Sequence, residues 1–462
     1  MPTLSLLNII RGTMLRTRMP LPAVSLLHIL AAATISMNSA AQQAVPIIAI
    51  PDPTVASQQT FGAILGLNHL PSGDVVVNDA GRRQVLKLSP TLATLAVIID
   101  STPGTSNSYG TRPAPLIRYL GDSSLFVDPT SASLLVIDPT GKITRAMSAP
   151  NPMDMRLIAS SPAYIDHKGR LIYRGSIVPR PPSNGPSSMP PSGIPPMPLL
   201  RADFDRRTVD TLGAVKSGNG SRGSMVPGAD GKMQIRRLID PLFVVDDYAV
   251  LSDGSVAIVR GQDYRVDMLP PDGQLQQGKK LPYDWKRLTE QDKVRLRDSV
   301  LKTPPPLPTP AGGAMPMMAS GGGSNSGGGS FSIGAAGGTS SSSSRITPEM
   351  LSGASSMMPT GAGVVDVIPV KEMADYLPPI RSGAARPDLE GNLWLLPNTS
   401  AQSLAGELVY DVVNRDGVLT HRVRVPKGRS VLGFGAGGIV YLMTGDRTNG
   451  FTVERSTVPS TR

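Results

Sequence analysis

The sequence predicts an all-β protein, a six-bladed β-propeller closed by its N-terminal strand, with disordered inserts and one short surface helix. Turns such as Asp-Gly and Pro-Xaa-Gly recur between short apolar runs. Glycine there takes the positive φ that a tight hairpin needs. Tyr248–Leu275 holds two such turns with a break at Gly261, which predicts a four-stranded antiparallel meander, the size of one blade. A short sequence motif, with Asp and Gly before an apolar strand, also repeats as DHKGRLIYRG, LSDGSVAIVRG and DLEGNLWLLPN.

The amino-acid composition restricts the loop content, the cross-links and the core of the protein. The 462 residues include 48 Gly and 45 Pro, so a large share of the chain must be turn, loop or linker. Cysteine is absent, which excludes disulfides and thiolate metal sites. Only 4% of the residues are aromatic, so the core must be built from Val, Ile, Leu and Met.

The N-terminus has the features of an export signal. Arg11, Arg16 and Arg18 precede the short apolar run Leu21–Ile35, and small residues then lead to a cleavage site near Ala41. We therefore predict a signal peptide at 1–41, a propeller at 42–462 and export to the periplasm or the extracellular space. A retained membrane anchor at the N-terminus is the alternative. No later stretch is long and apolar enough to span a bilayer.

The charge of the chain bears on its partners. The formal net charge is +10, and residues 1–41 hold three arginines and no acid, which leaves about +7 after cleavage. Such a charge favours solubility or attraction to an anionic surface. Basic residues are scattered rather than clustered with aromatics, which argues against nucleic acid as a partner. We expect a monomer without a transmembrane segment after signal cleavage.

Blades one to three follow the signal in order. Each is predicted from four apolar runs separated by turns. The runs are AILGLNHL, DVVVNDAG, RQVLKLSP and LATLAVIID; then PLIRYL, SLFVDP, SLLVID and KITRAM; then SPAYID, RLIYRG, LLRADFD and TVDTLGAV.

Blade four is Tyr248–Leu275, and blade five is predicted from ARPDLEGNLWLLP, ELVYDVVNRDG and VLTHRVRVP. The last blade has only three strands, SVLGFGAGG, IVYLMTG and FTVERSTV. The early apolar strand Ala44–Ile50 has no neighbouring hairpin partner, so we assign it to the outer position of this blade. This closure removes the exposed edges that an open array would carry.

Three inserts interrupt the blades, at 179–198, 216–232 and 281–384. The first is Pro-rich and the second Gly/Ser-rich, and both are predicted loops. The third begins with the one convincing helix, where Thr289 and Asp292 resemble a capping box. Its part at 303–363 is of low complexity and is predicted to be disordered. By propeller geometry all three should emerge on one face, either as a binding surface or because insertions are tolerated there.

The repeated motif resembles that of NHL-repeat and gluconolactonase-like (TolB-like) six-bladed propellers, over most of the chain outside the inserts. Folds of this kind carry hydrolases, lyases and binding scaffolds alike. The resemblance implies a divalent cation held in the channel by acidic and amide side chains. Asp79, Asp128, Asn398 and Asp446 follow second strands and can imitate that cage, but the matching Glu is not evident.

Two arginines stand at matching positions of neighbouring blades. Arg174 and Arg260 each end a second strand and precede Gly. Two guanidinium groups beside the channel suit a carboxylate or phosphate ligand, with Asn398 as a further polar group. The alternative is that the arginines pair with nearby acids such as Asp166 or Asp263.

Catalytic motifs are not found. His69, His167 and His421 are the only histidines after the signal and show no ligand spacing, and no HExxH, Gly-Xaa-Ser-Xaa-Gly or Walker-type motif occurs. The sequence therefore predicts an exported, non-catalytic scaffold that binds a protein, peptide or glycan through its loop-bearing face, with no assigned cofactor. The alternative is a metal-dependent hydrolase or lactonase in the channel, with Asp79, Asp128 and Asp446 as ligands.

Overall fold

A computed structural model describes residues 45–105, 107–176, 196–218, 220–227, 233–302, 364–401 and 407–459. The predicted signal peptide, nearly all of the insert 179–198 and the low-complexity segment 303–363 lie outside these ranges.

The described strands form six blades of a β-propeller, as predicted, together with one smaller sheet. Two short strands come first, β1 (Ile47–Ala49) and β2 (Val55–Ala56). Blade one holds β3 (Ile64–His69), β4 (Val75–Asp79), β5 (Gln84–Leu88) and β6 (Thr94–Ile99); blade two holds β7 (Leu116–Arg118), β8 (Ser124–Asp128), β9 (Ser133–Ile137) and β10 (Ile143–Met147); blade three holds β11 (Ala163–Ile165), β12 (Leu171–Arg174), β13 (Met197–Asp203) and β14 (Thr208–Val215).

The smaller sheet holds β15 (Ser221–Pro227), β16 (Met233–Ile239) and, much later in the chain, β20 (Val364–Val367). Blade four holds β17 (Asp247–Val250), β18 (Val256–Arg260) and β19 (Arg265–Leu269); blade five holds β21 (Ala385–Pro387), β22 (Leu393–Leu395), β23 (Leu408–Val413) and β24 (Leu419–Val425); blade six holds β25 (Ser430–Phe434), β26 (Ile439–Asp446) and β27 (Gly450–Thr457). The predicted fourth strand of blade four is reduced to isolated bridges, such as the one between Met268 and Gln276.

The N-terminal segment closes the ring, but not with the residues that we assigned. Val55 pairs with Arg455, so β2 supplies the outer strand of blade six. The predicted strand Ala44–Ile50 instead places β1 parallel to β24, on the outer edge of blade five. Pro51 and Pro53 lie between β1 and β2 and have no N–H to donate, so the strand breaks there and the chain crosses between blades.

The predicted loop at 216–232 is also corrected. Most of its described part is β15, which pairs antiparallel with β16 along its whole length. On the other side of β16, β20 pairs in parallel. Arg236 Nε donates to an Asp366 carboxylate oxygen at 2.6 Å across this pair. Composition predicted a loop because the pairing depends on β20, which is distant in sequence.

The surface helix is confirmed as α2 (Glu290–Lys302). Its capping box is formed, because the Thr289 hydroxyl accepts the Asp292 N–H at 3.2 Å and Asp292 accepts the Thr289 N–H at 3.0 Å. Two shorter helices are α1 (Met155–Ser160) and α3 (Asn398–Ala401), and short 3-10 turns occur at Leu120–Asp122, Pro152–Asp154 and Val370–Glu372. No helix in the described ranges has the length and apolar content to cross a membrane.

The first strands of neighbouring blades contact one another and form the inner ring. In each blade the first and second strands are antiparallel, as in the pair of Ile64 with Asp79. The start of a first strand and the end of a second strand therefore share one face, which we call the loop face because the blade-to-blade connections lie there. The opposite face carries the turns between first and second strands, and we call it the turn face.

Candidate functional site

A cavity of about 470 Å³ lies where the six inner strands meet. Every blade contributes to its wall, so it lies in the central channel, on the axis of the ring. The wall extends to residues of the turns between first and second strands, so the cavity opens toward the turn face. Its polar or charged lining comprises Asn68, Arg118, Tyr119, Tyr164, Asp166, His167, Ser252, Arg386 and Asp388.

Residues near the rim of the cavity contact the next blade. Asn68 Nδ2 donates to Ser124 Oγ at 2.8 Å. His167 lies so close to Gly254 that a Cβ at this glycine, which has a φ of +86°, would be 2.1 Å from Nδ1. A side chain at position 254 would therefore push His167 away from its place at the cavity wall.

The two carboxylates in the wall are already engaged. Asp166 accepts the Arg170 Nε–H at 2.7 Å and the main-chain N–H groups of Lys168 and Arg170 at 2.9 Å. Asp388 accepts the Asn392 N–H at 2.7 Å and the Trp394 indole N–H at 3.1 Å. Both acids thus hold their own blades together, and their negative charge is offset by these donors.

Arg386 is a charged residue of the cavity wall whose side chain has few hydrogen-bond partners within the part of the chain that the structure describes. It lies on β21 and is partly buried. Its Nη1 donates to the Leu432 carbonyl oxygen at 3.4 Å. Among the described residues no other acceptor and no carboxylate partner of this guanidinium is found. Its remaining N–H groups are therefore free to meet a ligand in the channel.

Tyr164 adds a neutral donor to the same wall. Its ring packs edge-on against Tyr248, with centroids 5.8 Å apart. Burial, followed by the charge of Asp247, raises the pKa of Tyr164 far above the ordinary value, and Arg386 only partly opposes this. The hydroxyl thus stays protonated at any usual pH. Within the described ranges it has no hydrogen-bond partner.

Arg118 makes the turn-face opening more positive. It ends β7, is 42% exposed at its side chain and forms an ion pair with Asp122 at 3.0 Å. A half-exposed pair of this kind contributes little to stability, and the guanidinium keeps N–H groups that the monodentate contact does not use.

Asp247 lies at the loop-face end of the inner ring, and its pKa predicts how the free energy of unfolding depends on pH. Its carboxylate accepts the Ala385 N–H at 2.9 Å, and burial raises its pKa from 3.8 to about 6. The folded protein then binds this proton more tightly than the unfolded chain does. The stabilising contribution is therefore full below pH 4 and is lost as pH rises to about 6, by about 3 kcal/mol.

Urea unfolding of the parent protein and of Asp247→Asn between pH 4 and pH 7 tests this expectation. The free energy of unfolding of the parent should fall relative to that of the variant as pH rises. A constant difference between the two, or one that changes in the other direction, would contradict the assignment.

The predicted metal ligands lie on the loop face, where each is engaged with main-chain N–H groups. Asp79 accepts the N–H groups of Gly62 at 2.9 Å and Ala63 at 3.0 Å. Asp128 and Asp446 likewise accept N–H groups of the turns that follow them. In the described part of the chain no cluster of three or more His, Asp or Glu suited to a metal occurs. The structure thus does not bring Asp79, Asp128 and Asp446 together into one cluster.

The predicted ligand-binding residues also lie at the loop face, away from the cavity. Arg260 pairs with Asp246 at 2.9 Å and with Asp267 at 2.8 Å. Arg174 donates to the Ser217 hydroxyl. Asn398 is buried and donates to the Pro378 carbonyl oxygen at 2.6 Å. The pairing of arginines with nearby acids, the alternative from the sequence, is found for Arg260, although with other acids than expected.

Comparison with known proteins gives a likeness in fold. No protein-family model matches the chain, and no curated protein matches it in sequence. Among similar solved structures, a gluconolactonase of Xanthomonas campestris is 11% identical over 87% of this chain and 88% of that one, with a TM-score of 0.34. A calcium-binding regucalcin of Agrobacterium tumefaciens is 11% identical over 90% and 97%, with a TM-score of 0.34. A luciferin-regenerating enzyme is 11% identical over 88% and 95%, with a TM-score of 0.37.

The predicted resemblance to gluconolactonase-like propellers is thus confirmed as a resemblance of fold. The prediction of a non-catalytic scaffold that binds through the loop face is wrong, because the cavity opens toward the turn face, at the other end of the channel.

Proposed function

We propose that the protein acts on a small organic anion in its central channel, and that Arg386 binds the carboxylate of that molecule. The observation that carries the proposal is a partly buried guanidinium in the cavity wall whose one described hydrogen bond goes to the Leu432 carbonyl oxygen. A guanidinium binds a carboxylate through parallel N–H groups, and such charge-assisted bonds are strong.

The rest of the lining supports an anion over a cation. Tyr164 is held in its neutral form and offers an O–H donor, while Asp166 and Asp388 are engaged within their blades. Arg118 adds positive charge at the opening. The cavity of about 470 Å³ has the size of a site for a small molecule, since such sites measure about 300–1,000 Å³.

A second candidate is hydrolysis of a lactone or ester in the same cavity. Arg386 and Tyr164 both present donors there, which suits the oxyanion that forms when water attacks a carbonyl carbon. His167 lines the cavity and would accept the proton of that water. The carbonyl C–O bond to the leaving oxygen then breaks, the proton passes to that oxygen, and a carboxylic acid results. The residues that we predicted as metal ligands take no part in this scheme.

Binding of phenylacetate, followed by saturation-transfer NMR, tests the proposal. We expect Arg386→Ala to weaken binding about tenfold or more, and Arg386→Lys to restore part of it. Arg424→Ala is the matched control, because it removes one positive charge from β24 of the same blade. There Arg424 Nε lies 3.7 Å from a Glu407 carboxylate oxygen. Equal affinities of the parent, Arg386→Ala and Arg424→Ala would refute the proposal. Release of acid from 4-nitrophenyl acetate, lost in Tyr164→Phe and His167→Ala, would favour the second candidate.

We also propose that the protein is exported, as a monomer. The arginines and the apolar run before residue 42 support export, and a ring closed by its own chain supports the monomer. Mass spectrometry of the N-terminus after expression in a bacterium tests export, and an intact Met1 in a cytoplasmic fraction would contradict it.

A further inference from the structure

A second cavity lies between blades five and six. It measures about 210 Å³ and shares Asp388 and Phe434 with the channel cavity. It is smaller than ordinary independent ligand sites, which begin at about 300 Å³. Its wall also includes Glu390, Trp394 and His421. We call it the side cleft.

Asp388 and Phe434 line both the side cleft and the channel cavity, and we call these two residues the partition; they differ in how firmly they are held. Asp388 is fixed by hydrogen bonds from Asn392 and Trp394. Phe434 makes no such bonds; its ring lies 4.9 Å from that of Trp394, and it ends β25 between Gly433 and Gly435. Phe434 is thus the part of the partition whose side chain is held by packing alone.

The chemistry of the side cleft differs from that of the channel. Its wall is mainly apolar, and the described residues that form it include no lysine or arginine. Burial lowers the pKa of His421 below 6.5, so its ring is neutral near pH 7. Glu390 accepts the Gly438 N–H at 3.2 Å and leaves negative charge at the mouth of the cleft. A second anionic group is therefore disfavoured there, whereas an uncharged, flat group can pack on the Trp394 indole.

We infer that the channel ligand is an elongated monoanion, with its carboxylate at Arg386 and a neutral aromatic or apolar tail that passes Phe434 into the side cleft. Phe434 is then the residue that determines the length of ligand accepted. This inference rests on the proposed function and specifies the substrate class of the same site. The tail contacts Trp394 on the side of the partition opposite to Arg386.

Tryptophan fluorescence tests whether a tail reaches the side cleft. The chain has two tryptophans, and Trp285 is 43% exposed while Trp394 is 3% exposed. In a Trp285→Phe background the emission reports on Trp394 alone. We expect saturation with 4-phenylbutyrate to change this emission, and saturation with phenylacetate to leave it unchanged because its tail is too short.

Substitution of Phe434 tests the partition itself. Phe434→Trp enlarges the partition and should weaken 4-phenylbutyrate binding at least tenfold more than it weakens phenylacetate binding, both measured by saturation-transfer NMR. Phe434→Leu reduces the partition and should bind 4-phenylbutyrate at least as tightly as the parent. Thermal unfolding checks that both variants fold.

The outcomes separate this inference from the proposed function. If phenylacetate binds in an Arg386-dependent way but 4-phenylbutyrate neither changes Trp394 emission nor responds to Phe434, the inference is overturned and the proposed function stands. If neither anion binds the parent protein, both are overturned.

Discussion

Gly261→Ala is expected to destabilise the protein by about 3 kcal/mol or more, because the added methyl group meets main chain that cannot move aside. A Cβ at position 261 would lie 1.9 Å from the Val245 carbonyl oxygen, far inside contact distance. The Gly261 N–H also donates to Asp246 at 3.1 Å, so a shift of this segment would break that bond. Urea unfolding monitored by circular dichroism measures the loss.

Gly213→Ala is the matched control for Gly261→Ala. Gly213 lies within β14, and a Cβ there would have its nearest neighbour, Ile258 Cδ1, at 3.8 Å, an ordinary contact. Alanine should therefore be accepted at position 213 with a change of less than about 1 kcal/mol. If the two variants unfold at the same urea concentration, the close approach of Gly261 to Val245 is wrong.

Phe61→Ala is expected to cost about 3–5 kcal/mol, because it removes a fully buried ring from the place where the propeller closes. Phe61 is 0% exposed and packs in a cluster with Val75, Val77 and Tyr441. Its main chain also bridges to Phe451 of blade six, whose N–H donates to the Phe61 carbonyl oxygen at 2.8 Å. Loss of the ring therefore weakens the contact between blades one and six as well as the core.

The measurement for Phe61→Ala is urea unfolding together with limited proteolysis. Cleavage near β2 should become faster in the variant, since β2 and Phe61 lie on the same segment that pairs with blade six. Phe61→Leu keeps an apolar side chain of similar size and should cost less than about 1.5 kcal/mol. An alanine variant that is as stable as the leucine variant would show that the site repacks without loss.

The blades were predictable because their signals are local. Turns such as Ser252–Gly254 and the alternating or β-branched strands beside them depend only on residues close in sequence. The capping box at Thr289 is local in the same way, and it is confirmed. The errors concern pairing over long distances, namely β1 on blade five and β15 in a sheet that β20 completes. Neither partner can be deduced from residues near the strand.

The candidate site was harder to predict from the sequence than the blades were, because it also depends on contacts between residues distant in sequence. Geometry correctly put the ends of second strands on one face, but that face is opposite to the cavity opening. Arg386 lies between Ala385 and Pro387, and nothing in this tripeptide shows that the guanidinium has no carboxylate partner. One signal was present, since Arg386 and Tyr164 are polar residues on inner strands that are otherwise mostly apolar.

The way the ring closes has a consequence for synthesis of the chain. The strand that completes blade six, β2, emerges early, whereas its partner β27 ends at Thr457. During translation β2 stays unpaired until β27 has been synthesised, and contacts so distant in sequence form slowly. Blade one can assemble as soon as its own hairpins are made, but the ring cannot. Strands β1 and β2, the earliest of the described strands in the chain, are therefore expected to be among the last to pair.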